Sequence, residues 1–155
     1  MLEQIVASFL ATCGFGLLFG LEKTRLFFSS LNGVLSWCIY LLLIRANLSE
    51  TLSFFLSSVA MTIYSEIMAR KIKAPATLFL IGGFIPLVPG SGVYYTMYGV
   101  ITSDTVLIVK KGIQTLSIAG AITIGIFFGI TLDNMFLKIK ENNQRDEREN
   151  RKDSL

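Results

Sequence analysis

The sequence predicts an all-α fold: a polytopic integral membrane helix bundle of five spans, of which the fourth is broken. Hydrophobic residues make up 52% of the chain and charged residues only 16%, and the charges lie in clusters. The apolar runs between these clusters can cross a hydrocarbon core of about 30 Å, which takes about 20 helical residues. These runs are residues 2–21, 26–44, 51–69, 76–101 and 112–132. We therefore expect a membrane domain over residues 1–137 and a charged tail over residues 138–155.

The distribution of basic residues predicts the orientation of this bundle. Most of them follow the first, third and fifth spans: Lys23, Arg25, Arg70, Lys71, Lys73 and six more in residues 138–155. Under the positive-inside rule these ends face the cytoplasm, which places the N-terminus outside and the tail inside. A re-entrant hairpin at residues 76–101 would put the basic tail outside, so the charges favour a broken but complete crossing. The net charge of +3 arises at span ends and does not indicate a nucleic-acid partner.

The first and last spans carry small residues every four positions, a pattern that lets a second helix approach closely. The first span begins with Glu3 and without a basic residue, so it is not a cleaved signal peptide. Its small residues are Ser8, Thr12, Gly16 and Gly20, and those of the last span are Ser117, Ala121, Gly125 and Gly129. Periodicity leaves open whether the partner helix belongs to this chain or to a second subunit.

The second span contains Trp37 and Tyr40 near its outer end, where such residues usually anchor a helix at the membrane interface. Cys13 and Cys38 lie inside apolar runs without C-x-x-C spacing, and the chain has no histidine. Small buried cysteines are therefore expected, with no disulfide, no metal site and no cofactor.

The third span is unusually polar along one face. Ser58, Thr62 and Glu66 are spaced by four residues, and Arg70 extends the same face by one turn. One interpretation is structural, an i,i+4 ion pair between Glu66 and Arg70. The other is functional, a proton- or substrate-linked carboxylate at Glu66, because ionisable groups within a span are costly and usually functional.

The fourth span is interrupted by Pro86, Pro89 and two glycines, which a continuous helix does not accommodate. We expect the helix from Ala76 to stop near the prolines and a second half-helix to start after Gly90, with Ser91 as its N-cap. In a membrane, irregular backbone of this kind occurs only where it is buried in protein or lines a wet cavity. Such breaks indicate the binding sites of transporters.

The start of the second half-helix is the predicted substrate site. Its free N–H groups near Gly92 and Val93 would carry the positive end of the helix dipole, which suits a carboxylate. The candidate binding residues are Pro89, Gly90, Ser91, Gly92, Val93, Tyr94 and Tyr95. A purely structural kink with tyrosines at the membrane interface is the alternative. Residues 101–111 are expected to form a short interfacial helix.

These motifs resemble the threonine/serine exporter family. The resemblance rests on Ser65-Glu66-x-x-Ala69-Arg70, on Lys73-Ala74-Pro75-Ala76-Thr77, and on the segment from Pro86 to Met97. It is closest to the short, stand-alone form that corresponds to the C-terminal half of the full-length exporters. It implies export of small amino acids across a bacterial plasma membrane, driven by a proton or sodium gradient. It also implies a companion membrane subunit that carries the other half.

The leading hypothesis is thus a subunit of a secondary active exporter of threonine and serine. Two alternatives stay open: a subunit that exports a small dicarboxylate such as succinate, which some relatives of the short form suggest, and a non-transporting scaffold for a larger partner. An enzyme is not expected, because the chain has no histidine and no visible nucleophile–base pair. The chain also lacks a nucleotide-binding loop.

Overall fold

The computed structural model describes the backbone of residues 2–153 and the side chains of residues 2–140 and 142. Within these residues all regular structure is helical, as the sequence predicts. The helices are α1 (Leu2–Leu18), α2 (Lys23–Arg45), α3 (Glu50–Ile72), α4 (Ala76–Phe84), α5 (Gly90–Ile101) and α6 (Thr105–Asp153). A single 3-10 turn, Ile85–Leu87, follows α4 directly.

The described part of the chain contains three helices that are long and apolar enough to cross a membrane: α2, α3 and the Thr105–Lys140 part of α6. A fourth span is added if α4 with its 3-10 turn and α5 count together, with a bend of 51° between them. α1 is apolar but has 17 residues. The structure therefore establishes an all-helical chain with three to four candidate spans, and the count of five stays a prediction.

The turns between helices use residues that tolerate left-handed backbone. Gly20, with a φ of 68°, ends α1 in a Schellman motif in which the Leu21 N–H donates to the Gly16 carbonyl oxygen at 3.0 Å. Between α5 and α6, Ser103 has a φ of 58° and Asp104 caps α6 by accepting a hydrogen bond from the Leu107 N–H at 3.0 Å. The separate interfacial helix expected at residues 101–111 is therefore wrong, because this cap starts one continuous α6 at Thr105.

A seam of small and polar residues on α2 holds α3 and α4 together. Asn32 is fully buried, and its Nδ2 lies 2.9 Å from the Phe79 carbonyl oxygen of α4 and 2.9 Å from Ser65 Oγ of α3. One turn on, Ser36 Oγ donates to the Gly83 carbonyl oxygen of α4 at 2.7 Å. Side-chain hydrogen bonds thus reach from α2 to both neighbours inside an apolar bundle, where unpaired polar groups are costly.

Glycines allow this seam to close. A Cβ added at Gly82 of α4 would lie 2.5 Å from the Ser29 carbonyl oxygen of α2, and one added at Gly33 of α2 would lie 3.0 Å from the Gly82 carbonyl oxygen. Both neighbouring atoms belong to backbone and cannot rotate away. The position of α4, and therefore of the break that follows it, depends on this close approach between two helices.

The small-residue stripes of the first and last spans both contact helices of this chain. In α1, Ser8, Thr12 and Gly16 are buried, and Thr12 packs against Gly33 of α2. Gly20 lies beyond the end of α1 and does not extend the stripe, because the Schellman turn has already ended the helix.

In α6, Ala121, Gly125 and Gly129 are buried, whereas Ser117 is exposed and does not share their contact. Gly125 packs on Phe55 and Ser58 of α3, and Gly129 packs on Thr62. The stripe of the last span therefore forms a contact between α3 and α6 within one chain.

α3 and α6 run parallel, and polar pairs mark both ends of their contact. Glu50 pairs with Gln114 at one end, and Arg70 pairs with Asp133 at the other. Glu50 and Arg70 are 20 residues apart on α3. At 1.5 Å per residue the two pairs lie about 30 Å apart, which is close to the thickness of a hydrocarbon core.

The break between α4 and α5 lies near the Glu50 end of this contact rather than halfway along it. Leu87 belongs to the core cluster with Phe54 of α3 and Ile118 of α6. Beyond the break, α5 packs against α6 in antiparallel fashion, with Gly99 against Ile108 and Gly92 against Thr115. This packing positions the start of α5 against α6 at one end of the bundle.

The α3–α6 contact predicts opposite effects for two glycine substitutions on one helix. Gly125→Ala should lower the melting temperature in detergent, since its Cβ would lie 2.7 Å from the Phe55 carbonyl oxygen and overpacking costs about 1–3 kcal/mol. Gly120→Ala is the matched control, with nothing within 4 Å of its Cβ, and should keep or raise the melting temperature because alanine favours helix. Equal melting temperatures for the two variants would contradict the packing.

Candidate functional site

A cavity of about 190 Å³ opens at the break in the fourth span. One wall is aromatic: Trp37 stacks on Tyr40, with ring centroids 5.0 Å apart, and Tyr40 contacts Phe54 with centroids 4.5 Å apart. The irregular backbone around Pro89 and the start of α5 form another part of the lining. α3 and α6 contribute Glu50, Lys111, Gln114, Thr115 and Ile118. The cavity thus combines an apolar surface with a few convergent polar groups, as ligand sites usually do.

The first turn of α5 lines this cavity and contains backbone N–H groups without an acceptor in the part of the chain that the structure describes. Among the described residues, no hydrogen-bond acceptor pairs with the N–H of Ser91 or Gly92. The N–H of Gly90 donates to the Val88 carbonyl oxygen at 2.7 Å, and that of Val93 donates to the Pro89 carbonyl oxygen at 3.2 Å. Two unpaired donors at the positive end of a helix dipole favour an anion.

Two details of the predicted terminus need correction. Ser91 is not the N-cap: α5 begins at Gly90, Pro89 occupies the cap position, and the cap has no side-chain hydrogen bond. Val93 does not offer a free N–H, because it already bonds to Pro89. The observed N-cap, Pro89, lies two residues before the expected one, and the free donors are Ser91 and Gly92.

Gly92 has a packing role that its place in the motif did not reveal. A Cβ added there would overlap Thr115 Oγ1 of α6 and lie 3.3 Å from Thr115 Cβ. The glycine therefore allows the first turn of α5 to rest directly on α6. This contact brings the break and the polar residues of α6 into one cavity.

One side-chain amide in the cavity lining links a carboxylate to an ammonium group. Gln114 Nε2 donates to Glu50 Oε2 at 2.5 Å, and Gln114 Oε1 accepts from Lys111 Nζ at 3.2 Å. Lys111 Nζ also lies 5.8 Å from the ring centroid of Tyr95, within cation–π range. The three polar side chains form a chain of alternating donors and acceptors along the α3–α6 contact.

The site residues predicted from the sequence did not include Glu50, Lys111 and Gln114. They belong to the start of the third span and to the first turns of α6, segments that are distant from the break in sequence. Gln114 interrupts an apolar run one turn after Lys111, and this was the available signal. Trp37 and Tyr40, interpreted as interfacial anchors, lie in the cavity wall instead.

The remaining predicted binding residues divide between the cavity and the surface. Pro89, Gly90, Ser91 and Gly92 line the cavity. The Tyr95 ring contacts Lys111, which lines the cavity. The Tyr94 side chain is 64% exposed, and its ring stacks on that of Tyr98 with centroids 6.4 Å apart. Val93 is exposed. The side chains of Val93 and Tyr94 therefore face away from the cavity.

Glu66 and Arg70, the predicted coupling residues, lie far from this cavity. They are 4.0 Å apart, but the main partner of Arg70 is Asp133 of α6, with bonds of 2.5 and 2.7 Å to the two carboxylate oxygens. Glu66 is 16 residues from Glu50, or about 24 Å along the helix. A coupling role for Glu66 and Arg70 stays a prediction. In that role the two residues would influence a cavity that they do not line.

No group of three or more acidic, histidine or cysteine side chains with metal-binding geometry occurs in the described part of the chain. Both cysteines, Cys13 and Cys38, are free thiols.

Comparison with known proteins identifies the family. The family profile described as Threonine/Serine exporter, ThrE matches residues 4–132, which include every cavity-lining residue. Searches of curated proteins and of solved structures gave no significant match. The matched region covers most of the chain, and it ends immediately before Asp133. The chain belongs to the threonine/serine exporter family.

Proposed function

We propose that this chain is a subunit of a secondary active exporter of threonine and serine, and that the cavity at the break is its substrate site. The observation that carries the proposal is the pair of unpaired N–H groups at Ser91 and Gly92, two residues that line a cavity with polar side chains. An amino-acid carboxylate placed there would accept both donors at the positive end of α5. The aromatic wall of Trp37 and Tyr40 would contact the rest of a small substrate.

The proposed topology has five crossings. α1, with its 17 residues, is at the lower limit of length for a span, and α4 and α5 together cross as a bent unit. The Arg70–Asp133 pair then lies near one face of the bilayer, and the Glu50–Gln114 pair lies inside the opposite face, beside the start of α5. The side with Lys23, Arg70 and Lys73 faces the cytoplasm of a bacterial cell. The substrate cavity consequently lies toward the outer face.

This orientation predicts the activity of reporter fusions. A reporter enzyme that is active only outside the plasma membrane should be inactive when fused after Leu155 and active when fused to the loop at Asn47. The loop fusion is the matched control, because the loop at Asn47 precedes α3 and lies at the opposite end of the bundle from the tail. An active tail fusion, or an inactive loop fusion that is expressed at the same level, would contradict the topology.

The chain is proposed to work with a companion membrane subunit. A cavity at one end of a small bundle gives access to one face of the membrane, whereas export requires access to both. A proton or sodium gradient is the proposed driving force, since no nucleotide-binding loop is present in the sequence.

Export of labelled substrates tests the proposed function. Cells that contain this chain together with its companion should export labelled threonine and serine, and cells that lack either protein should not. Export of succinate in place of both amino acids would favour the dicarboxylate alternative. Export by the companion alone at the full rate would make this chain a scaffold.

Gly92→Leu is the informative variant in that assay. The added side chain would collide with Thr115 and separate α5 from α6, so export should fall by about tenfold or more. Gly120→Leu on α6, where a Cβ meets nothing within 4 Å, is the matched control and should keep the wild-type rate. Amounts in the membrane are compared by immunoblot. Full export by Gly92→Leu would exclude the cavity as the substrate site.

A further inference from the structure

The side-chain amide of Gln114 occupies a position that an amino acid could take. Its nitrogen donates to the carboxylate of Glu50, and its oxygen accepts from the ammonium group of Lys111. A free amino acid has the same polarity, because its ammonium group donates and its carboxylate accepts. The orientation also corresponds: the nitrogen of the Gln114 amide is bonded to Glu50 and its oxygen to Lys111, as the ammonium group and the carboxylate of an amino acid would be.

We infer that Gln114 is a displaceable internal substitute for the substrate, and that Glu50 and Lys111 select amino acids over dicarboxylates. When an amino acid enters, its ammonium group replaces Nε2 at Glu50, and its carboxylate replaces Oε1 at Lys111, beside the free N–H groups of Ser91 and Gly92. This inference rests on the proposed function and assigns roles to residues of the same cavity.

The surroundings of Gln114 permit such a displacement. Its side chain is only partly buried, and it lies in the cavity lining rather than in the packed contact formed by Gly125 and Gly129. Glu50 keeps a favourable position without Gln114, because it lies in the first turn of α3, where the helix dipole stabilises a negative charge. Lys111 likewise keeps its contact with the ring of Tyr95.

Glu50 also explains how a dicarboxylate would be rejected. A dicarboxylate bound through one end to Lys111 and the N–H groups would direct its second carboxylate toward Glu50. Like charges placed together in a partly buried site disfavour binding, which is a repulsive contribution to specificity. The neutral Gln114 amide and an amino acid both avoid this repulsion.

Transport into everted membrane vesicles tests the inference. The vesicles come from cells of the native host in which the chromosomal gene carries each variant, so that any companion subunit is present. Initial rates are measured for labelled L-threonine and labelled succinate over a range of concentrations.

Gln114→Leu should lower the KM for threonine by about fivefold or more, because the substrate no longer displaces a charge-assisted hydrogen bond. Glu50→Gln should raise that KM by about tenfold or more and shift selectivity toward succinate.

Gln114→Met is the second variant, in case leucine impairs folding, and it should also lower the KM. Ser117→Ala, one turn further on the exposed face of α6, is the matched control and should keep the wild-type KM. An unchanged or raised KM for threonine in both Gln114 variants would overturn the displacement. An unchanged threonine/succinate selectivity in Glu50→Gln would overturn the selection.

The outcomes separate this inference from the proposed function. If wild-type vesicles transport threonine and the Gln114 and Glu50 variants match them, the inference fails and the exporter function stands. If wild-type vesicles do not transport threonine, the exporter function fails and the inference fails with it.

Discussion

The position of the proposed substrate cavity depends on how α2 holds α4. A half-helix of nine residues cannot be fixed in a membrane by the hydrophobic effect alone, because lipid tails are as apolar as its side chains. Here the backbone carbonyl oxygens of Phe79 and Gly83 accept hydrogen bonds from Asn32 and Ser36. Such interhelical bonds contribute about 0.6–2 kcal/mol each in membranes. Together with the glycine contact at Gly82, they fix the end of α4 and so the point at which the chain breaks.

The contact between α3 and α6 provides the second constraint. Glycines at two successive turns of α6 allow the parallel helices to approach closely, and polar pairs close the contact at each end. One pair, Arg70 with Asp133, consists of opposite charges with good geometry and joins the two helices. The other, Glu50 with Gln114, is open to the cavity. The same packing interface therefore supports the bundle at one end and presents recognition groups at the other.

Much of the architecture could be predicted from the sequence because its causes are local. Hydropathy located the helices, the prolines located the break, and four-residue spacing placed Gly125 and Gly129 at a helix contact. The cavity side chains could not be predicted, since Glu50, Lys111 and Gln114 converge only when the order of packing is known. Asp133 directly follows the last apolar run, and its pairing with Arg70 could not be predicted because it depends on how α3 and α6 pack.

The central claim, that the break between α4 and α5 binds the exported amino acid, can be measured directly by substrate protection. Ser91→Cys is introduced into a protein in which Cys13 and Cys38 have been replaced by alanine, and its labelling by a small thiol reagent is timed in membranes. Thr102→Cys, in the exposed turn after α5, serves as the matched control. The structure predicts that L-threonine slows labelling at position 91 and leaves position 102 unchanged. Equal labelling at position 91 with and without threonine, at concentrations that sustain transport, would contradict the claim.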